Sequence, residues 1–227
     1  MTLFWLVLLT CISTAAYIIS LKKPFFLYPA MIFHLFLPVS VWLNTGLPPF
    51  VNGYGSMVFF SLLISVKTLM LKREKLRQFH TAAVVLIMAG SLMMPLSQKT
   101  VPAVLDSVWL VIHVPLFFLG YLSLTSAYVA SFFKDTGSFV RREMKRAVFF
   151  SWSGILTGAM WAEVSWGRFW GWDSKEVAAL SIFLFSLSYF HFSGEKEKKL
   201  AVHVSFYAML ITYFAVSYLI PGNHNYI

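Results

Sequence analysis

Apolar residues run through this chain in long blocks, most of them about a bilayer deep, separated by short charge clusters or by Pro/Gly turns. The blocks predict eight helices, over residues 3–21, 28–43, 54–71, 79–96, 106–133, 147–165, 176–193 and 200–220. They are continuous and lack period-two alternation, so helices are expected rather than strands. A helix also satisfies its own backbone hydrogen bonds, as lipid requires. The second block is short and runs into Gly46-Leu-Pro48-Pro49, a strong breaker. Trp5, Tyr28, Trp42 and Trp109 fall near block ends, where amphipathic rings favour the membrane interface.

Composition narrows the class. Of 227 residues, 59% are hydrophobic and 12% charged, more apolar surface than a water-soluble domain of this size can hide. The expected fold is an all-α polytopic membrane protein with about eight transmembrane helices, forming one integral membrane domain over residues 1–227. The first block has no basic residue before it and no small-x-small cleavage pattern before Lys22, so it reads as a retained helix. The single cysteine, Cys11, lies inside that block as a small core residue, and no Cys-x-x-Cys-His occurs, so the chain is not itself a c-type cytochrome. A net charge of +9 can signal nucleic acid or acidic lipid. In a membrane protein the distribution of charge is more informative, and no nucleic-acid partner is expected.

That distribution orients the chain. Fourteen of the eighteen Lys and Arg residues lie in the first, third, fifth and seventh connections, and Lys67 can snorkel to the same side. Only Lys99, Arg168 and Lys175 remain for the other side. The positive-inside rule then places the odd connections in the cytoplasm and both termini outside, in a bacterial-type cytoplasmic membrane.

The sixth connection, extracytoplasmic in that topology, carries the most distinctive chemistry. Over Trp161-Ala-Glu-Val-Ser-Trp166-Gly-Arg-Phe-Trp170-Gly-Trp172-Asp-Ser-Lys-Glu176 stand four of the eight tryptophans, with Arg168, Asp173 and Lys175. An aromatic belt explains one or two tryptophans at a helix end, but not four interleaved with glycines and charges. Aromatic planes with a few charges suit a flat, partly anionic ligand, and haem, with two carboxylates, fits that description. Trp161, Trp166, Trp170 and Trp172 offer stacking surface, Arg168 and Lys175 can pair with propionates, and Asp173 and Glu176 precede the next helix as caps. No nucleophile elbow, phosphate-binding glycine loop or zinc-spaced cluster is present, so no catalytic residue is assigned.

Neutral imidazole is a common haem-iron ligand, and the chain has six histidines. His113 lies roughly 10 Å along its helix from Asp106, within reach of the outer loop; alone, it reads equally as a packing residue. Taken alone, His224, in the tail Pro221-Gly-Asn-His-Asn-Tyr-Ile, reads as solvated, but the topology puts it on the same face as His113 and the tryptophan loop. His191 lies roughly 24 Å of helix from Lys175, near the cytoplasmic boundary, as an interfacial residue or the mark of a second, inner site. His34, His80 and His203 read as structural or interfacial.

The run Trp166-Gly-Arg-Phe-Trp170-Gly-Trp172-Asp173-Ser-Lys175-Glu176 resembles the tryptophan-rich "WWD" signature of the haem-handling proteins of cytochrome c maturation. Its Trp-Asp-x-Lys-Glu ending is similar to the CcsA/ResC branch (system II) more than to the CcmC branch. Asn52-Gly-Tyr54-Gly-Ser56-Met57-Val-Phe59 is similar to the family's Asn-x-Tyr-Glu-Ser-Leu-x-Phe segment, with Gly55 in place of the glutamate. Trp109-Leu-Val-Ile-His113 falls where the family has its first external histidine, and Tyr218–Tyr226 resembles the segment around its second. The resemblance spans roughly residues 50–226, with the WWD loop at 161–176; the first 50 residues match poorly and the chain is short for the branch.

The resemblance implies that His113 and His224 are axial ligands to the iron of haem b, presented against the WWD platform. It implies too that His191 corresponds to an intramembrane histidine receiving haem from the cytoplasmic side. The partners it implies are a CcsB/ResB-type membrane protein and an apocytochrome c with a Cys-x-x-Cys-His segment, alongside membrane lipid. The implied activity is haem transport, presentation and covalent attachment in cytochrome c biogenesis, enzymatic at most as one component of a haem lyase. Two alternatives stand beside it: a HemX-like haem-binding regulator of tetrapyrrole synthesis, and a transporter of another planar solute.

Overall fold

The computed structural model describes residues 3–94 and 107–216. Among them eight α-helices occur: α1 Leu3–Ser20, α2 Leu27–Thr45, α3 Gly53–Met70, α4 Glu74–Ser91, α5 Val108–Ala130, α6 Gly137–Trp166, α7 Ser174–Ser188 and α8 Glu195–Leu210. Single 3-10 turns at Pro24–Phe26 and Pro49–Val51 lead into α2 and α3, and α8 continues as a π-helical turn over Ile211–Val216. Every predicted block contains a helix, and no strand occurs among the described residues. Pro24–Thr45, Gly53–Met70 and Val108–Ala130 are long and apolar enough to cross a membrane, and Phe4–Ser20 is apolar but shorter.

Boundaries depart from the prediction mainly where the chain is charged. Helices α4, α6 and α8 begin at Glu74, Gly137 and Glu195, before the apolar blocks at 79, 147 and 200, and α7 ends at Ser188, short of its block's end at 193. Lys, Arg and Glu are good helix formers, so a helix continues into the basic clusters that hydropathy marks as connections. The short second block becomes a full helix, ended by Gly46 at φ 71°, whose N–H donates to the Trp42 carbonyl at 2.8 Å. Glycine adopts that left-handed backbone without strain.

The chain divides into two compact units, Met1–Val101 and Pro102–Ile227. In the first, α1 packs on α2 and α4, and α3 packs on α2 and α4, closing a four-helix ring. His34 lies at its centre, fully buried. Its Nε2–H donates to the Val58 carbonyl at 3.0 Å, and Nδ1 accepts from the Tyr17 hydroxyl at 3.0 Å. Three helices are thereby pinned by one imidazole with both nitrogens satisfied, as burial demands. Thr10, Ser61, Ser65 and Thr68 return their hydroxyls to carbonyls three or four residues back in their own helices, so they can be buried without an unsatisfied donor.

Gly55 explains itself sterically. The Pro49–Val51 turn folds back on α3, and a Cβ at Gly55 would overlap the Pro49 carbonyl oxygen. The Gly55 N–H is held by the Asn52 side chain at 2.7 Å. A glutamate cannot stand here without moving the turn. Gly55→Ala is expected to cost about 1–3 kcal/mol through overpacking, read as a lower melting temperature in detergent. Gly137→Ala, with open space at its Cβ, is expected to melt like the parent.

The second unit closes in the same order, α5 on α6 and α8, α7 on α6 and α8. The α5–α6 seam is the closest. Successive turns of α5 present His113, Phe117 and Gly120, and the antiparallel α6 answers with Gly158, Gly154 and Ser151. Each ring of α5 occupies the space a side chain on α6 would need. Small residues permit this close approach, and it is this seam that positions the site.

Candidate functional site

His113 is half-buried on α5, and its Nδ1–H donates to the Gly154 carbonyl on α6 at 2.8 Å. A carbonyl can only accept, so the proton sits on Nδ1 and the lone pair on Nε2. Metal-bound histidines are oriented in this way by a carbonyl or carboxylate on the second nitrogen. Phe117 meets the ring edge-on at 5.1 Å, and the ring stacks on Trp161 with centroids 6.0 Å apart and planes inclined 23°. Trp161 is only 2% exposed, and Trp166 packs edge-on against it at 5.0 Å. The histidine is thus joined through two indoles to the start of the tryptophan loop.

Helix α6 ends at Trp166 because Gly167 turns left-handed, φ 68°, its N–H donating to the Glu163 carbonyl at 2.8 Å. In the loop that follows, Arg168 is exposed and its guanidinium lies against Gly171, where an added Cβ would stand 2.7 Å from Cζ. Among the described residues it makes no ion pair. Trp170 and Trp172 stand perpendicular, centroids 5.7 Å apart. The Trp170 Nε1–H is buried with no hydrogen-bond partner among the described residues, while Trp172 is 70% exposed.

Trp172 holds φ 56°, a left-handed backbone for a bulky residue that costs on the order of 1–3 kcal/mol. The following residues offset it. Asp173 accepts from the Glu176 N–H at 2.8 Å, and the Glu176 carboxylate accepts from the N–H groups of Asp173 at 3.3 Å and Gly171 at 2.7 Å. This capping box anchors the loop to α7 and keeps the Trp172 ring turned outward. Asp173, placed among the cofactor-binding residues by sequence, therefore has its carboxylate engaged at the helix N-terminus. Lys175 is half-buried in the first turn of α7, and burial pulls its ammonium down to about 8, with Asp173 opposing in part.

The structure thus joins His113, Trp161 and Trp166 in one aromatic stack and sets Arg168, Trp170, Trp172, Asp173 and Lys175 along the rigid turn that follows it. His191 is exposed just beyond the end of α7, with most of that helix between it and Lys175. His224 lies outside the described residues. Gly154 and Gly158 were not singled out from sequence, although their spacing of four on one helix face is the signal for a seat into which a neighbouring helix can press a ring.

A family model described as cytochrome C assembly protein matches residues 50–224. Similar curated proteins include "Cytochrome c biogenesis protein CcsA" of Prochlorococcus marinus subsp. pastoris, 27% identical over 83% of this chain and 77% of that protein. The protein of the same name in Welwitschia mirabilis is 29% identical over 57% of this chain and 58% of its own length. That of Saccharum officinarum is 25% identical over 83% and 80% respectively.

Proposed function

The chain belongs to the cytochrome C assembly protein family and is of the CcsA type, and from that premise we propose that it carries haem across a membrane and presents it for covalent attachment to an apocytochrome c. Its role lies in cytochrome c biogenesis, and its apolar helices are those of a membrane protein. In this reading all eight helices cross a bacterial-type cytoplasmic membrane, with both termini and the tryptophan loop outside. The basic connections support that orientation.

The observation that carries the proposal is His113: its Nδ1–H is held by the Gly154 carbonyl and its ring is stacked on a buried indole at the root of the tryptophan loop. The loop fits the rest of a haem. Trp172 exposes a broad aromatic face, the buried Trp170 Nε1–H has no acceptor among the described residues, and the exposed Arg168 makes no ion pair among them, which suits a propionate. His113 would be one ligand to the iron, and His224 is proposed as a second. His191, at the far end of α7, is proposed to meet haem on the cytoplasmic side.

Attachment is the addition of each cysteine S–H of the Cys-x-x-Cys-His segment across a haem vinyl, so this chain needs to supply position rather than a nucleophile. Holding haem rigidly while excluding competing ligands is its contribution. A CcsB/ResB-type membrane protein is the proposed partner. Co-expression of chain, partner and a Cys-x-x-Cys-His reporter tests the proposal through haem staining of the denatured reporter. Covalent haem on the reporter, lost when either membrane protein is omitted, is expected. A chain that binds haem while the reporter remains unmodified would instead be a regulator.

Lys175 gives the site a pH dependence. Its charge is present below about pH 8 and lost as pH rises through that value, so its hold on a propionate weakens in the same direction. Haem dissociation is expected to rise between about pH 7 and 9 in the parent, and Lys175→Arg, charged throughout that range, is expected to flatten the profile.

A further inference from the structure

Seven Lys and Arg residues fall within residues 3–94, namely Lys22, Lys23, Lys67, Lys72, Arg73, Lys75 and Arg77, against the one acid Glu74. All lie toward the end of the first unit where α1 and α3 finish and α2 and α4 begin. At that end is a cavity of about 170 Å³, far more than the ~10–15 Å³ that admits one water. Its walls come from all four helices and include Ser20, Tyr28, Leu69, Arg77, Gln78 and Thr81. Arg77 is half-buried and makes no ion pair among the described residues. Glu74, also on the wall, is turned to Gln78, whose amide donates to it at 3.3 Å.

We propose that this cavity binds the phosphodiester headgroup of an anionic phospholipid. The guanidinium of Arg77 and the hydroxyl of Tyr28 supply donors to phosphate oxygens, and the surrounding cations raise the local concentration of anions. A free phosphate would use the same donors. The lipid is preferred because the wall also carries Phe25, 75% exposed, and Leu69, with Met70, 73% exposed, beside it. Such a rim offers acyl chains an apolar surface adjoining the polar pocket. The lipid would tie together the four helix ends of the first unit, and no residue of the wall is one assigned to haem, so this inference is independent of the haem site.

Native mass spectrometry of the full chain from nanodiscs holding equal phosphatidylglycerol and phosphatidylcholine tests it. Preferential retention of phosphatidylglycerol is expected. Arg77→Gln should lower the preference roughly tenfold, as loss of a charge-assisted bond implies. Lys75→Gln, exposed and off the wall, should lower it much less, and Glu74→Gln should raise it. Equal losses for the Arg77 and Lys75 variants, with melting curves like the parent's, would overturn the pocket in favour of diffuse surface charge. Displacement of the retained lipid by millimolar inorganic phosphate would overturn the lipid assignment.

Discussion

Purified from haem-replete cells, the His113→Ala protein is expected to carry at most about a tenth of the parent's haem. Removing an outer-shell partner of a bound metal already costs 10–100-fold in affinity, and here the proposed ligand itself is lost. The substitution also removes the ring beneath Trp161, so the indole loses its stacking partner at the root of the loop. Haem per protein, measured as the pyridine haemochrome, gives the number. Added imidazole should restore part of it, because the space vacated by the ring can admit a free one; a protein that had merely unfolded would show no such recovery. His191→Ala, at the far end of α7, is expected to leave the outer site competent to bind haem added to the purified protein.

Gly158→Ala should nearly match that loss with the histidine itself retained. The added methyl would stand 2.5 Å from His113 Cε1 and 2.6 Å from Nδ1, where carbon contacts settle near 3.5–4.0 Å. The ring must swing away, surrendering its hydrogen bond to Gly154 and its stack on Trp161. Haem affinity is expected to fall about 10–100-fold, and stability by about 1–3 kcal/mol. Gly120→Ala is the comparison: its methyl would meet the Ser151 hydroxyl at 3.3 Å, a contact that a small adjustment relieves. Haem titration of the two variants in detergent separates a seat for the histidine from general tightness of the seam.

The sequence announced all eight helices because long apolar runs without period-two alternation read as helices. It misplaced the starts of α4, α6 and α8 because helix propensity does not stop where hydropathy does. The tryptophan loop was legible from density of rare residues alone, and the Asp173–Glu176 cap from local spacing. What could not be read is the pairing of α5 with α6. Nothing local to His113 says that Gly154, forty-one residues on, accepts its proton, or that Gly158 must be bare for the ring to lie flat on Trp161. The same holds for His34, whose partners sit on two other helices. Distant contacts decide whether a histidine is a pin or a ligand. His34 is bound through both nitrogens by residues of α1 and α3, whereas the Nδ1–H of His113 is fixed by the Gly154 carbonyl on α6.

The most direct test of haem presentation is the visible spectrum of the dithionite-reduced full chain, parent beside His113→Ala, each with and without imidazole. Sharp α and β bands in the parent, lost in the variant and returned by imidazole, are the predicted result. A parent that carries no haem after haem-replete expression, or a variant whose bands are unchanged, would contradict the account.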